Sequence, residues 1–315
     1  MNNAVRVLYI GGAGRSGSTL LELMLAAEPD VTALGEVVHL WRRGIEQDEL
    51  CSCREHFSAC PFWGEVGARA FSGWDSVDLG RLAKLRSSVD RQRYLPLLAV
   101  GKLPPQMARA AAEYSELYSR VYASAHEIAG GLLVDSSKHP SLAYLLARDP
   151  AVDLRVCHVV RDSRGVAYSR SRWVRRPEDP ASQSFMPRAR PLMAALSWLG
   201  TNLAFEVLAQ RRSIGVPVLR LRYEDLLADP GGSLNKLRSF AGLEERPEVA
   251  GFLSGARQPA QVVHSVAGNP MRFSTAPIEL RPDEAWRTKM PARDQGLVFA
   301  LTAPLARRYG YKAGA

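Results

Sequence analysis

The sequence lacks any long hydrophobic run. Its N-terminus, MNNAVRVLYIGG, has an apolar stretch of only a few residues that ends in glycines. Such a stretch is too short for the hydrophobic region of a signal peptide or for a membrane span, and no longer one occurs further along the chain. An exported or membrane-anchored protein is therefore disfavoured, and we expect a cytoplasmic protein.

Cysteine is scarce, with four residues in the chain. Cys51, Cys53 and Cys60 cluster in CSCREHFSACPFW, whereas Cys157 lies in an apolar run that indicates ordinary core. Structural zinc ligands usually come in pairs two to four residues apart. Here one pair is separated by a single residue, and the only local histidine is His56. The spacing therefore favours cysteines that pack a loop or form a labile disulfide, and we expect no metal site.

The chain is long and apolar enough to bury a large core, with 315 residues of which 46% are hydrophobic. Basic residues outnumber acidic ones, 41 to 32, which favours an anionic partner such as a phosphorylated cofactor, an acidic glycan, a nucleic acid or a membrane surface. No internal repeat or low-complexity linker divides the sequence, and we predict a single domain over residues 1–315.

Short β-branched runs alternate with helical patterns along the chain, which predicts an α/β fold with a doubly wound parallel sheet flanked by helices. A mostly helical insertion is predicted at about 78–128, and a mobile basic loop at 170–190. Ligands of such sheets bind beyond the carboxyl ends of the strands. The predicted strands are Val5–Ile10, a short strand opening the stretch Val31–Leu40, Gly131–Val134, Leu154–Val160 and Val216–Leu221.

The first strand leads into the glycine-rich segment GGAGRSGST. Gly12 and Gly17 have the spacing of the phosphate loop G-x-x-x-x-G-K-[ST], but Ser18 and Thr19 follow directly and the lysine is missing. Backbone N–H groups and a helix N-terminus still form an anion site there. Without the lysine, a nucleoside triphosphatase is disfavoured. Arg15 supplies a cation suited to a donor less charged than a triphosphate, which would need no magnesium.

Two segments carry a family resemblance. GGAGRSGSTLLELMLAAEPDVTALGEV resembles the 5′-phosphosulfate loop of sulfotransferases that use 3′-phosphoadenosine 5′-phosphosulfate (PAPS), especially the carbohydrate and protein-tyrosine branches. CHVVRDSRGVAYSRSR resembles their 3′-phosphate signature, with Arg161 and, eight residues on, Ser169. The resemblance implies a P-loop-type sulfotransferase that moves a sulfuryl group from PAPS to an acceptor hydroxyl or amine by in-line displacement. Adenosine 3′,5′-bisphosphate would be the product, and no metal would be required.

The second signature also makes physical sense on its own. Arg161 ends a predicted strand, and Asp162 and Ser163 suit a helix N-terminus, so that Ser169 falls two turns into the helix. An arginine fork with a hydroxyl suits a phosphate monoester. The alternative is that Arg161 simply pairs with a carboxylate.

Further cofactor contacts follow from the resemblance. Tyr223 in LRLRYEDLLADP matches a tyrosine near the adenine, although a core role is an equally good interpretation. Arg272, Trp286 and Lys289 lie in segments that resemble the family's closing segment. The resulting cofactor-binding set is Gly14, Arg15, Ser16, Gly17, Ser18, Thr19, Arg161, Ser169, Tyr223, Arg272 and Lys289.

Sulfuryl transfer needs a base for the acceptor's proton and a cation for the charge on the leaving oxygen. Arg15 and Lys138 are the candidate cations, because Lys138 in S-K-H-P resembles the N-K-D-P lysine of the protein-tyrosine branch. Glu36 in A-L-G-E-V matches the glutamate base of related branches, and His39 is the alternative. We expect partial burial to raise the pKa of Glu36. A helix-start carboxylate and a surface lysine are the plain alternatives for Glu36 and Lys138.

Two other functions stay open at this point. A kinase-like phosphoryl transferase built on the same loop predicts ATP binding with magnesium. A nucleic-acid-binding protein is suggested by six arginines between Arg161 and Arg176 and by Trp173, but no recognition motif accompanies them. The acceptor, whether small molecule, glycan or lipid, is set by loops that carry no recognisable code.

Overall fold

The computed structural model describes residues 4–176, 185–244, 263–274 and 280–313. Five parallel strands form one sheet in the order β2-β3-β1-β4-β5. The predicted α/β class with a parallel, doubly wound sheet is confirmed. The strands are β1 (Val5–Gly11), β2 (Val31–Gly35), β3 (Leu132–Lys138), β4 (Val152–Val160) and β5 (Val218–Arg222).

Helices connect the strands and cover both faces of the sheet. The helices up to Ala241 are α1 (Ser18–Leu25), α2 (Pro61–Phe71), α3 (Leu79–Val89), α4 (Leu95–Val100), α5 (Pro105–Ala129), α6 (Pro140–Leu146), α7 (Ser163–Ser171), α8 (Pro191–Gln210), α9 (Tyr223–Ala228) and α10 (Pro230–Ala241). Two more follow at Ala285–Lys289 and Ala292–Arg308. The segment 78–128 holds α3, α4 and most of α5, with Pro105 at the start of α5.

The central strand β1 is buried on both faces, as expected for a strand inside a parallel sheet. Val7 and Tyr9 point into the larger core, which also takes in α5 and α6. Leu8 and Ile10 point to the opposite face, where α1 and α10 pack. Alternate residues therefore serve two cores, which explains why the strand reads as a continuous apolar run rather than an alternating one.

The region around residues 170–190 differs from the predicted loop. Arg170 belongs to the last turn of α7, and α8 begins at Pro191. The middle of the predicted loop, residues 177–184, lies outside the described residues. The prediction placed the loop start a little too early, because helix α7 continues through the arginine-rich sequence.

Candidate active site

The carboxyl ends of the five strands bring the predicted site residues to one edge of the sheet. Along that edge, β2 ends before Glu36, β3 ends at Lys138, and β1 leads into the loop that holds Arg15. β4 then ends before Arg161, and β5 before Tyr223. The spatial order thus differs from the chain order, because the phosphate loop lies in the middle of the sheet.

A cleft of about 770 Å³ lies along this edge. It brings together most of the residues predicted from the sequence. Those lining it are Gly14, Arg15, Gly17, Ser18, Thr19, Glu36, His39, Lys138, Arg161, Ser169 and Tyr223.

The phosphate loop is held by close backbone packing. A Cβ on Gly12, at φ 132°, would lie 2.2 Å from the Val159 carbonyl oxygen, and one on Gly17, at φ 94°, would lie 2.4 Å from the Tyr223 ring. Only glycine fits at either place. Arg15 also has a left-handed φ of 76°. The loop therefore curls tightly before α1 begins at Ser18, with the open helix N-terminus facing the cleft.

Of the loop residues predicted to bind the cofactor, Ser16 does not line the cleft. It is 1% exposed, and its Oγ has no hydrogen-bond partner among the described residues. A buried hydroxyl without a partner is costly. Because Ser16 does not line the cleft, the anion site depends on the glycine-tight loop and its backbone N–H groups rather than on this hydroxyl.

Glu36 and Lys138 form an ion pair between adjacent strand ends. The Glu36 Oε1 to Lys138 Nζ distance is 2.5 Å, and Glu36 Oε2 lies 3.5 Å from His39 Nε2. Glu36 and Lys138 are both largely buried, with side chains 12% and 15% exposed. Lys138 has a left-handed φ of 66°, and its Nζ also donates to the Ser136 carbonyl. The predicted base, its alternative and the predicted cation thus form one cluster.

The predicted raised pKa of Glu36 is wrong for this arrangement. Burial does raise the pKa of Glu36, but the Lys138 ammonium and the His39 ring lower it more strongly. The net result is a pKa well below the ordinary value of a glutamate. The sequence argument considered burial alone, whereas the neighbouring cation decides the direction.

Four hydrogen bonds beneath this cluster hold it in place. The buried Asp135 carboxylate accepts hydrogen bonds from Ser137 N–H, Tyr122 Oη–H and Val37 N–H. The Val38 N–H donates to Ser137 Oγ at 2.9 Å. These bonds tie the turn after Glu36 to the strand that ends at Lys138.

Arg161 lies at the other end of the cleft and is 6% exposed. Its Nη1 donates to the Arg15 carbonyl at 3.1 Å, and its Nη2 donates to the Asp283 carboxylate at 3.0 Å. The guanidinium carbon also lies 4.5 Å from the centre of the Tyr223 ring. Arg161 therefore has the carboxylate partner that the alternative interpretation predicted. That partner, Asp283, itself lines the cleft, where a bound phosphate would compete with it for Arg161.

Helix α7 carries the hydroxyl predicted to accompany Arg161. The helix begins at Ser163 with Asp162 as its N-cap, which confirms the predicted helix start. Ser169 lies near the C-terminal end of α7 and lines the cleft.

The loop arginine Arg15 lies in a field of like charge. Burial lowers its pKa first, Arg170 lowers it further and Glu36 raises it. Among the described residues the Arg15 guanidinium forms no ion pair within 4.0 Å. An anion bound in the cleft would offset the repulsion between these half-buried cations.

Three residues of the predicted closing segment, Arg272, Trp286 and Lys289, do not line the cleft. Arg272 donates from Nη1 to the Ser265 carbonyl at 2.7 Å and from Nη2 to the Leu50 carbonyl at 2.8 Å, so it joins two chain segments. Lys289 is exposed at the end of a short helix, and Trp286 packs against the Arg164 guanidinium. The loose sequence pattern at the C-terminus could not show which way these side chains point.

Several cleft residues escaped the sequence analysis. Arg170 and Asp283 lie near the 3′-phosphate candidates, and the helical insertion contributes polar side chains at the opposite end. The sequence predicted the insertion itself, but no signal showed which of its residues line the cleft, namely Arg86, Asp90, Arg91 and Gln92.

Most of the basic stretch that suggested nucleic-acid binding has partners inside the protein. Arg164 pairs with Asp162, Arg170 donates to Ser197 Oγ, and Arg176 pairs with Glu49. Arg161 pairs with Asp283. The exposed part of the stretch is confined to Arg172, Trp173 and Arg175.

Helix α8 is the one described helix whose length and composition would allow it to cross a membrane. Trp198, Asn202 and Phe205 on this helix are fully buried, while Leu192, Met193 and Leu203 are exposed. A core helix of a globular protein with one apolar outer face can have the same length and hydropathy, so α8 is weak support for a membrane span.

Comparison with known proteins gives consistent relatives. Carbohydrate sulfotransferase 3 of Mus musculus is 28% identical over 178 residues, which is 53% of this chain and 36% of that protein. Carbohydrate sulfotransferase 5 of Homo sapiens is 27% identical over 198 residues, 54% of this chain and 43% of that protein. The chain thus spans well under half the length of these curated relatives. No protein-family model matches the chain.

Solved structures extend the likeness to the whole chain. The sulfotransferase domain from the Synechococcus PCC 7002 olefin synthase covers 98% of this chain and 96% of its own, at 22% identity and a TM-score of 0.51. The sulfotransferase domain from the curacin biosynthetic pathway covers 96% and 98%, at 19% identity and a TM-score of 0.50. The fold is that of sulfotransferase domains. The resemblance to sulfotransferases predicted from the two phosphate motifs is confirmed by these relatives.

Proposed function

We propose that this protein transfers the sulfuryl group of PAPS to a hydroxyl of a carbohydrate acceptor. The observation that carries the proposal is the order of groups along the sheet edge. An acid–base cluster at β2 and β3 is followed by an anion loop at β1, an arginine at β4 and an aromatic ring at β5. This order matches the parts of an extended donor nucleotide, from the sulfuryl group at the reacting end to the adenine at the other.

The residues of the cleft fit such a donor. The N–H groups of the loop from Gly14 to Thr19 would hold the 5′-phosphosulfate, with Arg15 as its cation. Arg161 and Ser169 would hold the 3′-phosphate, and the Tyr223 ring would lie beside the adenine. Each of these residues other than Ser16 lines the cleft.

The chemistry proposed for the cluster uses Glu36 and Lys138. The acceptor oxygen forms a bond to sulfur as the bond from sulfur to the 5′-phosphate oxygen breaks. Glu36 takes the acceptor's proton, and Lys138 neutralises the charge that develops on the leaving oxygen. Because these two groups are paired across 2.5 Å in this structure, transfer of Lys138 to the leaving oxygen would free Glu36 to act as the base.

A carbohydrate acceptor is supported by two observations. The curated relatives are named carbohydrate sulfotransferases. The acceptor end of the cleft, beyond Glu36, is lined by polar side chains of the insertion and by Asn269. Polar groups of this kind suit the hydroxyls of a sugar better than an apolar phenol or lipid.

The test is a thermal-shift comparison of adenosine 3′,5′-bisphosphate, adenosine 5′-monophosphate, and ATP with magnesium. Ligand binding to the native state raises the melting temperature. We expect a large shift from the bisphosphate without metal and much smaller shifts from the other two nucleotides. Equal shifts from adenosine 3′,5′-bisphosphate and adenosine 5′-monophosphate, both without metal, would contradict the 3′-phosphate assignment. A larger shift from ATP with magnesium would favour the kinase-like alternative.

The acceptor class is tested by sulfuryl transfer from radiolabelled PAPS to a panel of neutral oligosaccharides, acidic oligosaccharides, simple phenols and lipid alcohols. We expect incorporation into an oligosaccharide. Transfer confined to phenols or lipid alcohols would contradict the carbohydrate assignment while leaving sulfuryl transfer intact.

A further inference from the structure

Four soft metal ligands from two distant parts of the chain converge on one point. The Sγ atoms of Cys51, Cys53 and Cys60 and the Nδ1 atom of His264 all lie within 4.8 Å of one another. Cys51 and Cys60 are each 1% exposed. The cluster lies outside the cleft and has no part in the sulfuryl chemistry described above.

We propose that Cys51, Cys53, Cys60 and His264 form a structural zinc site. Three thiolates and one imidazole are a common ligand set for closed tetrahedral zinc sites. With Zn–S bonds of about 2.3 Å, neighbouring sulfurs of a tetrahedron lie about 3.8 Å apart. The Sγ atoms of Cys53 and Cys60, and those of Cys60 and Cys51, are both 3.7 Å apart.

The imidazole completes the same tetrahedron. With a Zn–N bond of about 2.1 Å, a sulfur-to-nitrogen edge measures about 3.6 Å. His264 Nδ1 lies 3.2 Å from Cys60 Sγ and 4.0 Å from Cys51 Sγ, on either side of that value. The sulfurs are too far apart for a disulfide, whose S–S bond is about 2.05 Å. The four donors thus have the spacing of a metal site rather than of a redox pair.

The surroundings are those of bound thiolates. Backbone N–H groups donate to the sulfurs, from Cys53 to Cys51, from Glu55 to Cys53, and from Trp63 to Cys60. Such hydrogen bonds orient metal-bound thiolates and stabilise their charge.

His264 is itself held in place. Its ring stacks on Phe62 with centroids 5.1 Å apart, and its carbonyl accepts a hydrogen bond from Trp63 Nε1 at 2.7 Å. Every donor is therefore oriented by a neighbouring group before a metal binds.

The site would fasten a remote segment to the catalytic edge. Two residues after His264, Val266 pairs with Gly35 at the end of β2, and its carbonyl accepts the N–H of Glu36 at 2.8 Å. Ser265 Oγ donates to the buried Glu22 of α1 at 2.6 Å. A zinc ion on His264 would thus fix the strand-like segment that holds the backbone of Glu36.

The sequence spacing disfavoured zinc because only ligands close together in the chain can be recognised from spacing. His56, the local histidine, instead has its ring Nδ1 at 2.8 Å from the Asp48 carbonyl. The fourth ligand lies 204 residues from Cys60 and reaches it only through the fold.

The experiment measures metal in the full-length protein, purified without chelators from cells grown with added zinc. Inductively coupled plasma mass spectrometry should find about one zinc ion per chain. Cys60→Ser and His264→Ala should lose it, whereas the matched controls Cys157→Ala and His56→Ala should retain it. Zinc retained in both ligand variants at the level of the controls would overturn the proposal.

A second measurement does not depend on the variants folding. Cobalt should bind the metal-stripped wild-type protein and give the absorption bands of a tetrahedral thiolate site, and zinc should displace it. In the zinc-bound protein, the three clustered thiols should resist alkylation until a chelator is added. A metal-free wild-type protein that binds no cobalt with its thiols reduced, or a disulfide among these cysteines in freshly purified protein, would contradict a zinc site.

Discussion

Glu36 Oε1 lies 2.5 Å from Lys138 Nζ, across the carboxyl ends of the neighbouring strands β2 and β3. The pair joins the proposed base to the proposed cation before any substrate is bound. Since the two opposite charges are largely buried and neutralise each other, removing either group leaves an uncompensated charge. This relationship shapes the first two predictions.

Glu36→Gln should lower kcat by about a hundredfold or more, the range for loss of a general base, and leave binding of adenosine 3′,5′-bisphosphate unchanged. The measurement is steady-state turnover with an active acceptor, with isothermal titration for the nucleotide. His39→Gln is the matched comparison and should keep most of the activity. Wild-type turnover in Glu36→Gln together with a large loss in His39→Gln would move the role of base to His39.

The pH dependence of kcat/KM should show whether Glu36 titrates as part of an ion pair with Lys138 or as a glutamate without a cationic partner. Lys138 holds the pKa of Glu36 well below its ordinary value, so the free wild-type enzyme should show no acid limb from this group above about pH 4. In Lys138→Met, burial acts without the ammonium and raises the pKa of Glu36. The residual activity of that variant should then fall as the pH drops from neutral. Identical acid limbs in the two proteins would show that Lys138 does not control Glu36.

Arg161→Ala should weaken adenosine 3′,5′-bisphosphate by about 2 to 4 kcal/mol, the cost of leaving a buried phosphate without its charged partner. Fold stability should change little. Isothermal titration measures the affinity, and the exposed Arg212→Ala serves as the control. An unchanged affinity in Arg161→Ala would make the resemblance at this motif misleading.

Asp283→Asn tests the same site by removing the carboxylate that competes with the 3′-phosphate for Arg161. In this structure Asp283 pairs with Arg161 at 3.0 Å, and its side chain is 39% exposed. Removing the competing carboxylate should tighten the bisphosphate by up to about fivefold, the range of an exposed ion pair. Adenosine 5′-monophosphate should be unaffected. Weaker bisphosphate binding in Asp283→Asn would mean that the carboxylate supports the ligand rather than competing with it.

Asp135 should make the fold less stable as the pH rises. Burial raises the pKa of this carboxyl to about 6, although hydrogen bonds from Ser137 and Tyr122 lower it in part. The folded protein therefore holds a proton that the unfolded chain loses near pH 4, and stability falls between about pH 4 and pH 6.

The measurement is urea unfolding across that pH window. The loss from Asp135 should be of order 3 kcal/mol or less. Asp135→Asn should remove most of it because asparagine does not titrate, while its amide oxygen still accepts the Ser137 N–H. The exposed Asp75→Asn is the control and should leave the slope unchanged. A slope in Asp135→Asn equal to that of the wild type would show that other groups, such as Glu22, produce the pH dependence.

Local sequence was sufficient for the parts of the site that depend on backbone geometry. The glycines of the phosphate loop and the start of α7 after Asp162 were predicted correctly. Both depend on residues close in sequence, namely glycines that tolerate a left-handed φ and a side chain that caps the next helix turn. Alternation of strands and helices likewise predicted the parallel sheet, since both strand faces had to be apolar.

Contacts between distant segments decided the rest. The pKa of Glu36 depends on Lys138, the placement of Arg272 on carbonyls of the loop near Leu50, and the cysteine cluster on His264. None of these partners lies within a helical turn of its counterpart in the chain. By itself the sequence determined which chemical groups stand at the strand ends. Only the tertiary structure decided which of them meet, because the energies of buried charges and the spacing of metal ligands depend on distances that chain position does not set.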